Sequence, residues 1–211
     1  YLMWDDKKLV GHYVLHPIPL KFENETILGL QSMSILTHKS YQNKGIIFPT
    51  LAKLAYEEAL KQNYKIILGF PNSLSYRFCF EYLDWIKFSN IVEFNKNLEC
   101  SDSISESYLL EIEKCENFDF IEILWKEYNQ NYPSCISRIS SFLKWRFQEC
   151  PRTPFTNRPS FQYFPFLIKK NNEIKLFFVL KIYGNKCHIV DYFGNLESET
   201  IETMLLYSIN F

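Results

Sequence analysis

The run His38-Lys39-Ser40-Tyr41-Gln42-Asn43-Lys44-Gly45-Ile46 stands between a long β-type stretch and the strongest helical pattern of a 211-residue chain. A turn in that position lets successive backbone amides point at one spot, and the helix start behind it adds partial positive charge. Gly45 leaves the backbone open to a ligand oxygen, and Lys44 brings a mobile point charge to the same place. Together these are the requirements of a phosphate cradle. An ordinary loop closed by a glycine uses the same residue types, so the turn gains its meaning from what flanks it.

Before the turn, residues 26–37 (TILGLQSMSILT) are first near-continuously apolar and then alternate, which suits a long strand with a bend or bulge inside it. After the turn, residues 46–62 read as a helix. Ile47, Leu51, Leu54 and Ala55 make its apolar stripe, Lys53, Glu57 and Lys61 its wet face, and Pro49 is tolerated in the first turn. Residues 65–70 (KIILGF) have strand length and end at Pro71. Asn72 or Ser73 then caps a second helix running to about Asp84. A strand, a crossover helix and a strand predict that 26–37 and 65–70 are parallel neighbours that splay at their ends.

With these elements in order, His38 to Ile46 resembles the Q/R-x-x-G-x-G/A signature of the GNAT acyl-CoA N-acyltransferase superfamily. Gln42 takes the first position and Gly45 the fourth, while Ile47 departs from the usual final Gly or Ala. The run LGFPNSLSYRFCFEYLDW is also similar to the family, with Asp84-Trp85 where many members have Gly-Phe. The resemblance covers residues 9–94. It implies an α/β fold with a mixed central sheet and acetyl-CoA, or another acyl-CoA, as co-substrate. By the same resemblance, the main chain around Ser34, Ile35, Leu36 and Thr37 would pair with the pantetheine arm. Gln42, Asn43, Lys44, Gly45, Ile46 and Ile47 would hold the pyrophosphate, and Asn72 would join the cofactor-binding set. A small amine would attack the thioester directly.

Such a reaction needs an amine proton removed, an oxyanion stabilised and a thiolate protonated. The family's usual acid is a Tyr four residues before the Gly-Phe pair, which here falls on Phe80. Tyr76 and Tyr82 lie on the same helix; Tyr76, nearer the strand end, is the catalytic candidate. A thiolate also leaves tolerably without an acid. His38 is better read as a turn residue than as a base. His12, His16 and Glu25 are weaker candidates, because no partner is visible for them in sequence.

Residues 9–15 (LVGHYVL) read as a strand ended by Pro17 and Pro19 and reached from residues 1–4 through the turn 5–8. Residues 85–94 should return as one or two strands, and 99–106 are the linker candidate. Helices are expected over 118–129 and 136–148, an irregular connection over 151–159, strands over 161–168, 174–183 and 186–193, and a last helix over 198–209. The order of strands and helix in the two halves is alike, which suggests duplication. The expected domains are therefore 1–98, an acyl-CoA-binding domain with its N-terminal part missing, and 107–211, a degenerate copy without the phosphate turn and with its C-terminal part missing. In the copy, Glu197, Glu199 and Glu202 occupy the place of a phosphate turn. Arg138, Trp145, Arg146 and Tyr163 stand out as large polar-tipped residues, and Lys144-Trp145-Arg146 on a helix could meet an anionic acceptor, though an amphipathic helix that packs its Trp and solvates its cations is the better explanation of that run.

A net charge of −1 with no basic run excludes the electrostatic footprint of a nucleic-acid binder. No apolar run has the length of a membrane helix. The six cysteines have no metal-ligand spacing and no disulfide framework, so reduced thiols, a cytoplasmic setting and no metal are expected. The chain opens at Tyr1, and the expectation is that targeting information lies outside it. The function read from the sequence is acetyl-CoA-dependent N-acetyltransfer to a small amine, an amino sugar of surface-polysaccharide synthesis being the first choice. A homodimer is compatible with it. The alternatives are a non-catalytic acyl-CoA-binding or scaffold protein and a Fem-type aminoacyl transferase, the latter disfavoured by the near-neutral charge.

Overall fold

A computed structural model describes residues 1–90, 93–97, 110–149 and 161–211, less the side chains of Asn43 and Lys44. The linker candidate 99–106 and the connection 151–159 lie outside the described residues. The chain divides into two units, 1–93 with 134–136 and 94–133 with 137–211. No described helix is long and apolar enough to cross a membrane.

In the first unit, β1 (Leu2–Asp5) and β2 (Lys8–Phe22) form a hairpin whose turn places Asp6 at φ 52°. β2 pairs antiparallel with β3 (Glu25–Thr37), and β3 pairs parallel with β4 (Ile67–Gly69). The crossover is α1 (Ile47–Lys61), as the spacing of Ile47, Leu51 and Ala55 requires, and α2 (Ser73–Tyr82) follows β4. α1 closes a core of Tyr13, Leu51, Ala52, Ala55 and Leu83.

Two sequence expectations need correction here. β2 does not end at Pro17 and Pro19 but runs through both to Phe22. The Tyr13 amide donates to Tyr1 O at 3.0 Å, on the β1 side. By strand alternation the nitrogens of Pro17 and Pro19 face that same edge, between the stretches paired to β1 and to β6 (Ser134–Ile136), where no ladder donor is needed. Second, no strand forms in the described part of 85–94. The alternating apolar residues there, Ile86 and Phe88, are exposed and pack against no sheet of the unit.

The second unit holds β5 (Glu111–Lys114), α3 (Asp119–Tyr128), α4 (Ser140–Lys144) continued by a π-type turn Trp145–Glu149, and the meander β7 (Phe161–Lys170), β8 (Glu173–Tyr183) and β9 (Lys186–Gly194), closed by α5 (Ser198–Asn210). β6 is the exception within this stretch. Although it lies inside 107–211, it adds to β2 of the first unit, so Ile136 is a strand residue and not the start of a helix. β5, unforeseen in the sequence, pairs with β7. The run Leu176 to Leu180 is buried on both faces of the sheet, which accounts for its unbroken apolar sequence. Phe166, Ile168, Phe178 and Met204 make one core cluster, with Tyr207 packed against it. On the other face Phe177 and Phe193 meet Phe118 and Trp125.

Candidate active site

β3 and β4 pair at only three positions, Leu30–Ile67, Gln31–Leu68 and Ser32–Gly69. β3 continues to Thr37 and stays paired with β2 as far as Gly11–Thr37, so among the described residues the stretch Met33 to Thr37 has no strand partner on the β4 side and its edge there is open. The register jumps from Tyr13–Ile35 to Leu15–Ser32, leaving Met33 and Ser34 opposite Val14 alone. This is the bulge expected from the change of pattern in the sequence, and it lies at the point where the strands part. Ser34, Ile35, Leu36 and Thr37 thus all lie on a strand edge that no described residue pairs, the kind of edge to which an extended peptide or ligand can add.

At the end of that edge the chain enters a 3₁₀ turn, Lys39–Lys44. His38 Nδ1 accepts the Ser40 amide at 3.2 Å, His38 O accepts the Tyr41 amide at 2.8 Å, and Gln42 Nε2 donates to Thr37 O at 3.1 Å. The Tyr41 hydroxyl donates to Asp5, and Lys8 lies 5.5 Å from the Tyr41 ring centre. His38 and Gln42 therefore build the turn. Gly45 closes it at φ 66°, where a Cβ would touch nothing within 4 Å. The left-handed backbone conformation is by itself a reason for the glycine. The side chains of Asn43 and Lys44, assigned a phosphate role from sequence, lie outside the described residues.

α1 then begins at Ile46 and Ile47 with no side-chain cap and no acidic residue in its first turn. Its first amides have no helical partner, and no carboxylate of its own first turn offsets the positive end of the helix. α2 is capped instead by Asn72, whose Oδ1 accepts the amides of Leu74 and Ser75 at 3.1 and 2.9 Å. That oxygen is occupied, so Asn72 has only its NH₂ group to offer a cofactor.

Tyr76 sits one turn into α2, half exposed, its ring stacked on Phe80 at 4.3 Å. Tyr82 is equally exposed and packs against Phe78. Beyond α2, Asp84 takes φ 55°, a conformation glycine adopts freely, which gives a physical basis for the match of Asp84-Trp85 to Gly-Phe. His12 pairs with Leu36 in the β2–β3 ladder, and burial lowers the pKa of His16.

A group of side chains not singled out in the sequence lies at the closed end of the opening. Trp85 Nε1 donates to the Tyr56 hydroxyl at 3.0 Å, the Tyr56 and Tyr13 hydroxyls are 3.2 Å apart, and Tyr13 donates to Ser32 Oγ at 3.0 Å. Burial pushes both phenols above their ordinary pKa, Tyr56 the further of the two.

In the second unit, the polar-tipped residues that stand out in the sequence already have partners. Arg138 pairs with Asp191 through Nε at 3.1 Å and a terminal nitrogen at 3.0 Å, with the rings of Trp125, Tyr132 and Phe193 within 5.8 Å. Arg138, Asp191, Tyr132 and Tyr192 line a cavity of about 280 Å³. Lys144 pairs with Glu149 at 3.2 Å, Arg146 lies over Phe147, and Tyr163 packs on the same Phe147 ring. Lys170 from β7 reaches Glu199 at 2.6 Å.

By sequence, no family model matches the chain, and no curated protein does. By structure, the chain is similar over 99% of its length to 52% of a GCN5-related N-acetyltransferase from Anabaena variabilis, with 13% identity and a TM-score of 0.66. It matches 50% of a probable N-acyltransferase from Enterococcus faecalis, over 97% of its own length, at 11% identity and a TM-score of 0.63. Saccharomyces cerevisiae N-myristoyltransferase with bound myristoyl-CoA gives 13% identity and a TM-score of 0.53 over 97% of this chain and 56% of that one. The chain spans about half the length of these structures. It has the acyl-CoA N-acyltransferase type of fold, an α/β arrangement with a mixed sheet.

Proposed function

We propose that the chain binds an acyl-CoA and transfers its acyl group to an amine. The observation that carries this is the continuity of two features. The open β3 edge from Met33 to Thr37 leads directly into the turn before the uncapped N-terminus of α1. An extended pantetheine arm needs main-chain partners and a pyrophosphate needs free amides with positive potential; these follow one another in the order CoA would require. Tyr76 is the acid assigned to the departing thiolate. Acetyl-CoA is the first donor to test. Myristoyl-CoA is the second, because the yeast structure with this fold holds it. A small amine, an amino sugar first, is the acceptor. Phe80 in the place of the family's tyrosine favours one rival, a protein that binds acyl-CoA without turning it over.

Calorimetry with CoA and thiol release from each acyl-CoA across a panel of amines test this reading. Binding with release supports transfer, and binding without release supports the rival. Lys44→Ala should weaken CoA by about tenfold, or ~1.4 kcal/mol. A wild-type chain that binds no CoA would remove the proposal.

A further inference from the structure

The four groups Trp85, Tyr56, Tyr13 and Ser32 form a chain whose direction is fixed by chemistry. An indole N–H only donates, so the Tyr56 oxygen accepts from Trp85; Tyr13 gives its single proton to Ser32, so in the 3.2 Å contact between the two phenols Tyr56 donates and Tyr13 accepts. Tyr13 in turn donates to Ser32, a phenol being the better donor and an alcohol the better acceptor. Every link points the same way. The chain ends in a hydroxyl that receives one hydrogen bond and has its own proton left to give. Among the described residues, the Ser32 hydroxyl donates to no side chain and no backbone carbonyl.

Its place in the fold gives that proton a direction of use. Ser32 is the last residue of β3 paired with β4; beyond it the two strands part. A Cβ built on Gly69 would lie 3.2 Å from Ser32 Cβ and 2.4 Å from the Trp85 ring, so both side chains flank the closed end of the opening on one face. The chain also puts polar groups into a core that phenylalanine would fill at lower desolvation cost. Tyr13 is fully buried among Leu51, Ala52 and Ala55, and only a completed network offsets that burial.

We propose that the Ser32 hydroxyl is a hydrogen-bond donor to the sulfur of the bound thioester and of the departing CoA, with Tyr13, Tyr56 and Trp85 as its positioning residues. The proposal rests on the acyl-CoA reading above. As the amine nitrogen forms the new C–N bond, the electron pair of the C–S bond passes to sulfur and the surplus proton on nitrogen goes to water. Ser32 keeps its own proton throughout and stabilises the thiolate charge. This supplies, from a strand, a donor that the helix position Phe80 cannot provide.

The experiment uses CoA itself and follows its thiolate ultraviolet absorbance against pH when bound to the full chain. In the wild type the bound thiol should ionise at lower pH than free CoA. Ser32→Ala should raise that midpoint by about one pH unit, tenfold in the ionisation equilibrium. Tyr13→Phe and Tyr56→Phe, which keep the rings, should move it the same way by less, and Ser32→Thr should restore it. Titration with desulfo-CoA separates loss of the contact from loss of the site: Ser32→Ala should change that affinity by less than about twofold. Equal ionisation midpoints in wild type and Ser32→Ala, with CoA bound to both, overturn the role of Ser32 alone. A wild type that binds neither CoA nor desulfo-CoA overturns the acyl-CoA reading and this inference with it.

Discussion

Gly45 stands at φ 66° with nothing within 4 Å of where its Cβ would be, so strain and ligand access can be separated by the choice of substituent. Valine at positive φ costs on the order of 1–2 kcal/mol, whereas asparagine tolerates the left-handed region. Gly45→Val should therefore lower the melting temperature and weaken CoA. Gly45→Asn should leave the melting temperature close to wild type yet weaken CoA by about tenfold, ~1.4 kcal/mol by calorimetry. Wild-type affinity in Gly45→Asn would mean that no phosphate approaches this residue. At Tyr76, deleting the hydroxyl while keeping the ring stacked on Phe80 isolates the proton. Tyr76→Phe should reduce the turnover number by roughly 10²-fold, measured as thiol release, and Tyr82→Phe far less. Single residues were legible in sequence where a local pattern surrounded them, as at Gly45. Tyr13 was not, because Tyr56 is 43 positions away and Trp85 a further 29, and only the fold brings them together.

Elements were legible wherever one periodicity ran without competition. α1 followed from its apolar stripe, and the parallel β3–β4 pair from the helix between the strands. The errors arose where a local rule met a tertiary condition: Pro17 and Pro19 break a central strand but not an open edge, and Ile86 and Phe88 alternate without a sheet to join. Two element-scale predictions follow from close contacts. At Gly69 an added methyl would meet the Trp85 ring at 2.4 and 2.7 Å. Gly69→Ala should cost about 1–3 kcal/mol in denaturant unfolding and alter tryptophan fluorescence as Trp85 is displaced. In the second unit, Arg138 holds the segment after β6 to Asp191 on β9, both side chains largely buried. Arg138→Leu should cost about 3–5 kcal/mol by leaving a buried carboxylate unpaired, and Arg138→Met with Asp191→Leu should recover most of it. A double variant no more stable than the single one would show that the guanidinium also holds the ring cage together.

At the scale of the molecule, the repeated order of an antiparallel meander followed by a helix was visible in sequence, because turn signals and apolar runs mark each strand. The sequence pattern says nothing of which acceptor the proposed transfer would use, since such specificity arises from side chains that only a fold brings together. We propose that the second unit is a copy of the first without its cofactor site, and the two strand-to-helix connections differ in a way that makes this testable. In the first unit the helix α1 begins uncapped and without acidic residues. In the second, the connection from β9 to α5 uses its own groups: the Asn195 amide donates to Lys175 O at 2.7 Å, the Glu197 amide donates to Asn195 Oδ1 at 2.8 Å, and Thr200 Oγ1 donates to Asn195 O. Glu199 stands in the first turn of α5, where the carboxylate suits the helix end, and Lys170 partly neutralises it. A pyrophosphate there would displace made hydrogen bonds and face Glu197 and Glu202 as well. Calorimetric titration of the chain with CoA should therefore saturate at one molecule per chain. Gly45→Val should weaken that single phase, and Glu199→Gln should create no second one. Two binding phases in the wild type, or a single phase that Gly45→Val leaves unchanged, would assign the phosphate site to the second unit and reverse the roles of the two halves.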